Sequence, residues 1–301
     1  MQPTVPLVSA LPVLVAVLMT SVACDSGSAN GTPGTVNVVA GENFWGSVAS
    51  QIGGSHVYVT SIVRSDPNAD PHLYESSAAN AAAVAQAQLV IENGAGYDDF
   101  LSRLLAAAGG NRTVLSVQDV LRITGSDVNP HFWYDIPRVP KVAGAIEAAL
   151  AKVDPEDAAS FQSNLATFDD SLQPIQAVIN DIRRRHASAP VAYTERVPGY
   201  LLIAAGLDIK TPPGFASAIE DGNEPSPGDT AAMSRLISSH GVQVLLYNAQ
   251  TVSAVTKNVQ ALAYQAGIPV VPVTETLPPS YPSYQEWQLA QVRALLQALG
   301  G

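Results

Sequence analysis

The chain has 301 residues, 47% of them hydrophobic and 14% charged, with a formal net charge of −11. That is enough apolar material for one large core or for two domains of about 130 residues each. The acidic balance, with no basic stripe or tail, argues against nucleic acid as a partner, and the single cysteine, Cys24, excludes an internal disulfide.

Residues 7–23 are apolar apart from Ser9, Thr20 and Ser21. The run is too short for a spanning helix and reads as the hydrophobic region of an export signal. It ends on Ser21-Val22-Ala23-Cys24, which resembles the lipobox of bacterial lipoproteins, although Ser21 stands where leucine is usual and no Lys or Arg precedes Leu7. The resemblance implies a signal peptide at 1–23, a lipidated Cys24 and a flexible tether to residue 35, rich in Gly, Ser and Asn. The alternative is an ordinary cleaved signal with an incidental cysteine.

Residues 36–40 (VNVVA) predict a short buried strand. Phe44, Val48 and Ile52 then keep helical spacing, and Gly53-Gly54 stops the helix. Residues 56–63 alternate and then run apolar, a second strand. Beyond a loop carrying His72, the sequence predicts a helix of small residues at 76–87 and a strand at 89–93. A helix at 98–108, closed by Gly109-Gly110, and a fourth strand at 113–117 follow. Such alternation implies parallel βα units whose loops gather at the C-terminal strand ends, the edge that ligands favour in an open α/β sheet.

Residues 137–151 predict a helix. Asp154-Pro155-Glu156 starts another, with Asp as N-cap and Pro in the first turn. Its apolar pattern runs from Phe161 to Ile182 and ends on Arg183-Arg184-Arg185, cations suited to a helix C-terminus. About 30 residues rising 1.5 Å each span roughly 45 Å, enough to join two lobes, with a kink or break expected at Pro174. The alternation then restarts, with strands at 189–195, 207–210, 242–248 and 268–275. Helices are predicted at 198–205, 230–239, 251–266 and 287–299. The reading is an α/β protein of two similar lobes, each a roughly four-stranded, mostly parallel sheet flanked by helices, joined by one long linking helix. The N-terminal lobe covers 36–153, the linking helix 154–186 and the C-terminal lobe 187–301. No sequence repeat relates the halves.

Two tripeptides share a chemistry: Asp70-Pro71-His72, within ADPHLYE, and Asn129-Pro130-His131, within NPHFWYDI. Proline fixes its own φ and pushes the preceding residue out of the helical region, so each presents an imidazole from a stiff loop. Two of the five histidines occupy this setting, which points to a shared metal site. His56 follows a Gly-Gly turn and reads as solvent-facing. His186 and His240 close helices, where positive charge is favourable. Trp133 and Tyr134 read as pocket wall, and Asn129 or Asp135 as the group that orients an imidazole.

From about residue 36 to residue 299 the sequence resembles the solute-binding lipoproteins of zinc/manganese ABC importers, whose two lobes are joined by one long helix. The stretches IGGSHVYVTSIV, ADPHLYESSAANAAAVAQAQLVIENG, NPHFWYDI, YTERVPGYLLIAAGL, NEPSPGD and IPVVPVTETL carry the resemblance. It implies His72 and His131 as the first two metal ligands. Glu195, in YTERVPGY, falls on the third, where zinc members often carry His and manganese-type members Glu. Glu275, in PVTETLP, falls on the fourth, where aspartate is usual, and water is the alternative for completing the shell. Without the resemblance, Glu195 reads as a strand-end surface carboxylate, and Glu275 shares that alternative.

Two neutral imidazoles and two carboxylates neutralise a divalent cation, whereas lone buried carboxylates are costly or stay protonated. Nitrogen with oxygen suits Zn²⁺, Mn²⁺ or Fe²⁺. The share of oxygen, and the lack of a His-rich loop between His72 and His131, tilt the reading toward Mn²⁺ over Zn²⁺. The implied protein is a monomer and not an enzyme. It is lipid-anchored on the outer face of the cytoplasmic membrane and delivers one divalent metal to an ABC permease. A zinc metallohydrolase is the alternative from another class, although neither HExxH nor GxSxG is present. A surface adhesin of the same family and a binder of an organic solute are the others.

Overall fold

Two parallel sheets of the same design carry the fold. The first contains β1 (Val36–Glu42), β2 (Val57–Val63), β3 (Leu89–Glu92) and β4 (Thr113–Ser116), in the order β2-β1-β3-β4. The second contains β5 (Pro190–Tyr193), β6 (Asp208–Ile209), β7 (Val244–Asn248) and β8 (Val270–Val273), in the order β6-β5-β7-β8. All six strand pairings are parallel. These are the two four-stranded sheets that the sequence predicts. The computed structural model describes residues 1–2, 34–64, 74, 76–125 and 127–300. The expectations placed on the export signal, on Cys24 and on His72 lie outside the described residues.

The strands bury both faces, and the period of two decides which face goes where. Val36, Val38 and Ala40 of β1, with Leu89 and Ile91 of β3, enter one large apolar cluster, while Val39 and Val90 point to the opposite side. Val244 and Leu246 of β7 join the same large cluster, and Leu245 faces away. One core therefore runs between the two sheets, and a smaller one covers the outer face of each. All elements lie within one unit, Gly31–Gly301.

Helices fill the layers. α1 (Asn43–Gly53) buries Phe44, Trp45, Val48, Ala49 and Ile52, and Gly54, at φ +57°, ends it. α2 (Ala78–Gln86) starts at Ser77, whose hydroxyl accepts from the Asn80 N–H. α3 (Asp99–Ala108) and α4 (Val117–Leu121) complete the first half before α5 (Val139–Val153). The second half holds α8 (Gly199–Ala204), α9 (Pro213–Glu220), α10 (Pro227–Ser238), α11 (Ala254–Gln265) and α12 (Tyr284–Ala298). α4 and α9 are absent from the sequence reading. α4 has five residues, too few for a period to show. α9 opens on Pro213-Gly214, which reads as loop, although proline is compatible with a first helical turn. The NEPSPGD stretch supplies a cap: Ser226 Oγ accepts from the Asp229 N–H, and α10 begins three residues earlier than expected.

The expected linking helix comes in two pieces, α6 (Ala158–Ser171) and α7 (Gln173–Arg185), divided at Leu172. Pro174 sits in the first turn of α7, where its missing N–H is harmless, and its ring prevents the ladder of α6 from continuing. α6 packs on α1 and α5, whereas α7 packs on α12. Among the described residues no helix is long and apolar enough to cross a membrane.

Candidate metal centre

In each sheet the strand order reverses beside the first strand, between β1 and β3 and between β5 and β7, which places a crevice at the strands' C-terminal ends. His131 reaches that crevice from a braced loop. The Trp45 indole N–H donates to Asn93 Oδ1 (3.0 Å), and Asn93 Nδ2 donates to the Pro130 carbonyl (2.9 Å). The His131 ring is fully buried, with Tyr97 and Trp133 at centroid distances of 5.8 and 5.2 Å. Its Nδ1 lies 2.6 Å from Asn129 Oδ1, and the His131 backbone N–H donates to the same oxygen at 3.1 Å. An amide oxygen can only accept, so Nδ1 carries a proton, and Nε2 is the ring nitrogen that faces Glu275. Of the two expected orienting groups, Asn129 takes the role, and Asp135 pairs with Arg138 instead.

Glu195 and Glu275 each stand two residues beyond a strand, β5 and β8, and their exposures are 1% and 0%. The surface reading of Glu195 is thereby overturned. Asn248, the last residue of β7, holds the two together: its Nδ2 donates to Glu195 Oε2 at 2.6 Å and to Glu275 Oε1 at 2.7 Å. Asn248 is itself pinned. Its Oδ1 accepts from the Gln250 N–H (3.0 Å), and its own N–H donates to Thr194 Oγ1 (3.0 Å). Gln250 Oε1 accepts from the backbone N–H of Glu275 (2.7 Å) and of Thr276 (3.0 Å), fixing the turn that carries Glu275. From the other half, the Tyr97 hydroxyl donates to Glu275 Oε2 at 2.9 Å. His131, Glu195 and Glu275 each offer a donor atom within 4.8 Å of the others, a cluster able to hold a metal ion, and His131 Nε2 lies 3.8 Å from Glu275 Oε2.

Sequence reading missed Asn248 and Tyr97. The available signal was a polar residue closing an otherwise apolar strand, VLLYN, and an aromatic in the ENGAGYD loop. An Asn248→Ala change should weaken metal binding by about 10–100-fold, the range typical of groups that orient ligands. Competition with a fluorescent chelator measures this, and unchanged affinity would show that Asn248 plays no part.

The other histidines have separate settings. His56 Nδ1 pairs with Asp157 at 2.6 Å rather than facing open solvent, and its ring meets Phe161 edge-on. His186 follows α7, and His240 follows α10 with φ +53°. Trp133 and Tyr134 are fully buried wall residues.

Carboxyl groups crowd this region. Burial, followed by the charges of Glu275, Glu42 and Glu195, holds the Tyr97 phenol well above its ordinary pKa, so it stays a donor. Asp98 accepts from the N–H groups of Asn93 (2.6 Å) and Gly94 (2.8 Å), yet burial outweighs these and pushes its carboxyl up to about 6. A Cβ added at Gly41 would come 2.9 Å from Asp98 Oδ2, so that close approach requires glycine. Glu42 is pushed well above the usual range by burial first, then by the charges of Asp98 and Glu92. Both acids hold protons more tightly folded than unfolded, so stability falls as pH rises from about 4 through 6 and beyond. The metal-free protein should melt higher at pH 5.5 than at pH 7.5, by on the order of 5 °C. A lower melting temperature at pH 5.5 in a calorimetric scan would contradict this balance.

Hydrogen bonds close the crevice from both sides. Asn129 Nδ2 donates to the Arg196 carbonyl (2.9 Å), the Tyr200 hydroxyl to the Asn129 carbonyl (2.8 Å) and the Tyr134 hydroxyl to the Thr274 carbonyl (2.8 Å). A cleft lined by Tyr97, Asp127, Pro130, Arg196, Glu220 and Asp221 lies beside these contacts.

Two like-built parallel sheets, with a buried imidazole and two buried carboxylates gathered near their strand ends, define an α/β protein with a centre able to hold a metal ion. The chain belongs to the family described as zinc-uptake complex component A periplasmic, whose model matches residues 38–298. It is 24% identical over 207 residues to the zinc-binding protein TroA of Treponema pallidum, covering 65% of this chain and 64% of that one. It is 29% identical over 161 residues to the manganese-binding lipoprotein MntA of Halalkalibacterium halodurans, covering 52% of each. The chain thus spans between about half and two thirds of the length of these relatives. Among solved structures, that of the SBP FpvC from Pseudomonas aeruginosa in complex with Mn²⁺ has a TM-score of 0.74 at 21% identity, covering 88% of this chain and 98% of that one. At this identity the likeness establishes the fold.

Proposed function

We propose that this chain is the extracytoplasmic solute-binding component of an ABC importer and that it captures one divalent transition metal ion, Mn²⁺ or Zn²⁺, as cargo. The buried trio of His131, Glu195 and Glu275 carries the reading. Two carboxylates held side by side by one amide, away from water, call for a compensating cation or for protons. An imidazole nitrogen facing them completes a donor set suited to a transition metal. Donors placed 2.0–2.2 Å from a tetrahedral cation stand about 3.4 Å apart, so a small inward shift from the present separations would seat one. The relatives' names, zinc-binding and manganese-binding, support this class of cargo. Fe²⁺ fits the same donors.

His72, which shares the proline-histidine setting of His131, is proposed as the fourth ligand. Residues 36–153 and 187–301 are proposed as the two lobes, with 154–186 as their link. Residues 1–23 are proposed as a signal peptide and Cys24 as the lipid anchor on the outer face of the cytoplasmic membrane, from which a monomer hands its cargo to a permease. Chelator-stripped protein dialysed against Mn²⁺ or Zn²⁺ should retain one equivalent of metal by elemental analysis. Retention of none would sink the reading, and chelator-sensitive hydrolase activity would replace it with the enzymatic one.

A further inference from the structure

Glu42 closes β1, the strand beside which the first sheet reverses its order, and it pairs in register with Val63, the last residue of β2. Its side chain is fully buried, and among the described residues neither carboxylate oxygen has a hydrogen-bond partner. It occupies the N-cap position of α1 yet makes no cap bond. Among the described residues it has neither a capping bond nor an ion pair. An isosteric glutamine or an apolar residue would be cheaper to bury than an unpartnered carboxyl.

The residues that follow Glu42 pack against neighbours of the trio. Asn43 Nδ2 donates to the Leu277 carbonyl (2.8 Å), and the Leu277 N–H donates to Asn43 Oδ1 (3.0 Å), two residues past Glu275. Phe44 stacks on Trp133 at 3.9 Å, and Trp133 lies against His131. Tyr97, hydrogen-bonded to Glu275, feels the charge of Glu42 together with those of Glu275 and Glu195.

We propose that Glu42 is a third carboxylate of the cargo site, turning onto the cation from the first sheet when metal binds and tilting the site toward the harder Mn²⁺. The inference rests on the metal-capture reading and adds a residue to it. Glu42 stands outside the trio of donors that already converge, so a side-chain rotation accompanies loading. The trio supplies one nitrogen and two carboxylates. A further hard oxygen donor favours Mn²⁺ relative to Zn²⁺.

The test is calorimetric titration of wild type, Glu42→Gln and Glu42→Leu with Mn²⁺ and with Zn²⁺, alongside metal-free melting curves. Both variants remove an unpartnered buried carboxyl, so their metal-free melting temperatures should match or exceed that of wild type. Mn²⁺ affinity should fall by at least about 10-fold, and Zn²⁺ affinity by less. Equal affinities for both metals in wild type and Glu42→Gln overturn the proposal and leave the importer reading standing. So does a metal-free melting temperature well below wild type in both variants, which would make Glu42 a structural residue. If wild type binds neither metal, the importer reading fails, and this inference with it.

Discussion

Zn²⁺ at about a thousand times its dissociation constant should raise the melting temperature of the chelator-stripped protein by on the order of 10 °C. Ligand bound only to the folded state at that excess contributes about 4 kcal/mol. One kcal/mol moves the midpoint of a chain this size by about 2–4 °C. The structural reason is the position of the trio. Glu195 and Glu275 come from the second sheet and His131 from the loop that closes the first half, so one cation ties elements far apart in sequence. Excess chelator should reverse the shift. A midpoint unmoved by Zn²⁺ and by Mn²⁺ would mean that no such tie forms.

His131→Ala should weaken Zn²⁺ binding by more than about 100-fold, exceeding the loss expected from a group that only orients a ligand. The substitution removes the one nitrogen donor of the trio and leaves Glu195 and Glu275 on Asn248 unchanged. The metal-induced rise in melting temperature should shrink in proportion to the lost affinity, while the metal-free protein still unfolds in one cooperative transition. Wild-type affinity in this variant, measured by chelator competition, would remove His131 from the site.

Much of the fold was legible because its strands are short apolar runs cut off by glycine and polar loops. VNVVA, LVIE and VLLYN leave little choice of structure, and the alternation with helices dictates parallel pairing. α4 and α9 were not legible, since one is a single turn and the other opens on Pro213-Gly214. Pro174 announced the break in the linking helix correctly, because a ring that blocks a ladder acts locally. The centre divides the same way. His131 was marked by its own tripeptide, whereas the choice of Asn129 over Asp135 as its orienting group came only with the structure. Glu195 and Glu275 came from family resemblance, and their burial excludes the surface reading. Asn248 and Tyr97 carry only faint local marks, a polar end to VLLYN and an aromatic in ENGAGYD, and Glu42 carries none. Asn248 and Tyr97 meet the two carboxylates only when the ends of β7 and β8 and the loop after β3 come together, a consequence of topology that no window of sequence contains.

Anomalous scattering at the zinc edge, from crystals of the Zn²⁺-loaded protein, tests the central claim most directly. One peak should appear, about 2.0–2.2 Å from His131 Nε2 and from a carboxylate oxygen of both Glu195 and Glu275. A peak at any other place, or no peak in a protein shown to be folded, would contradict it.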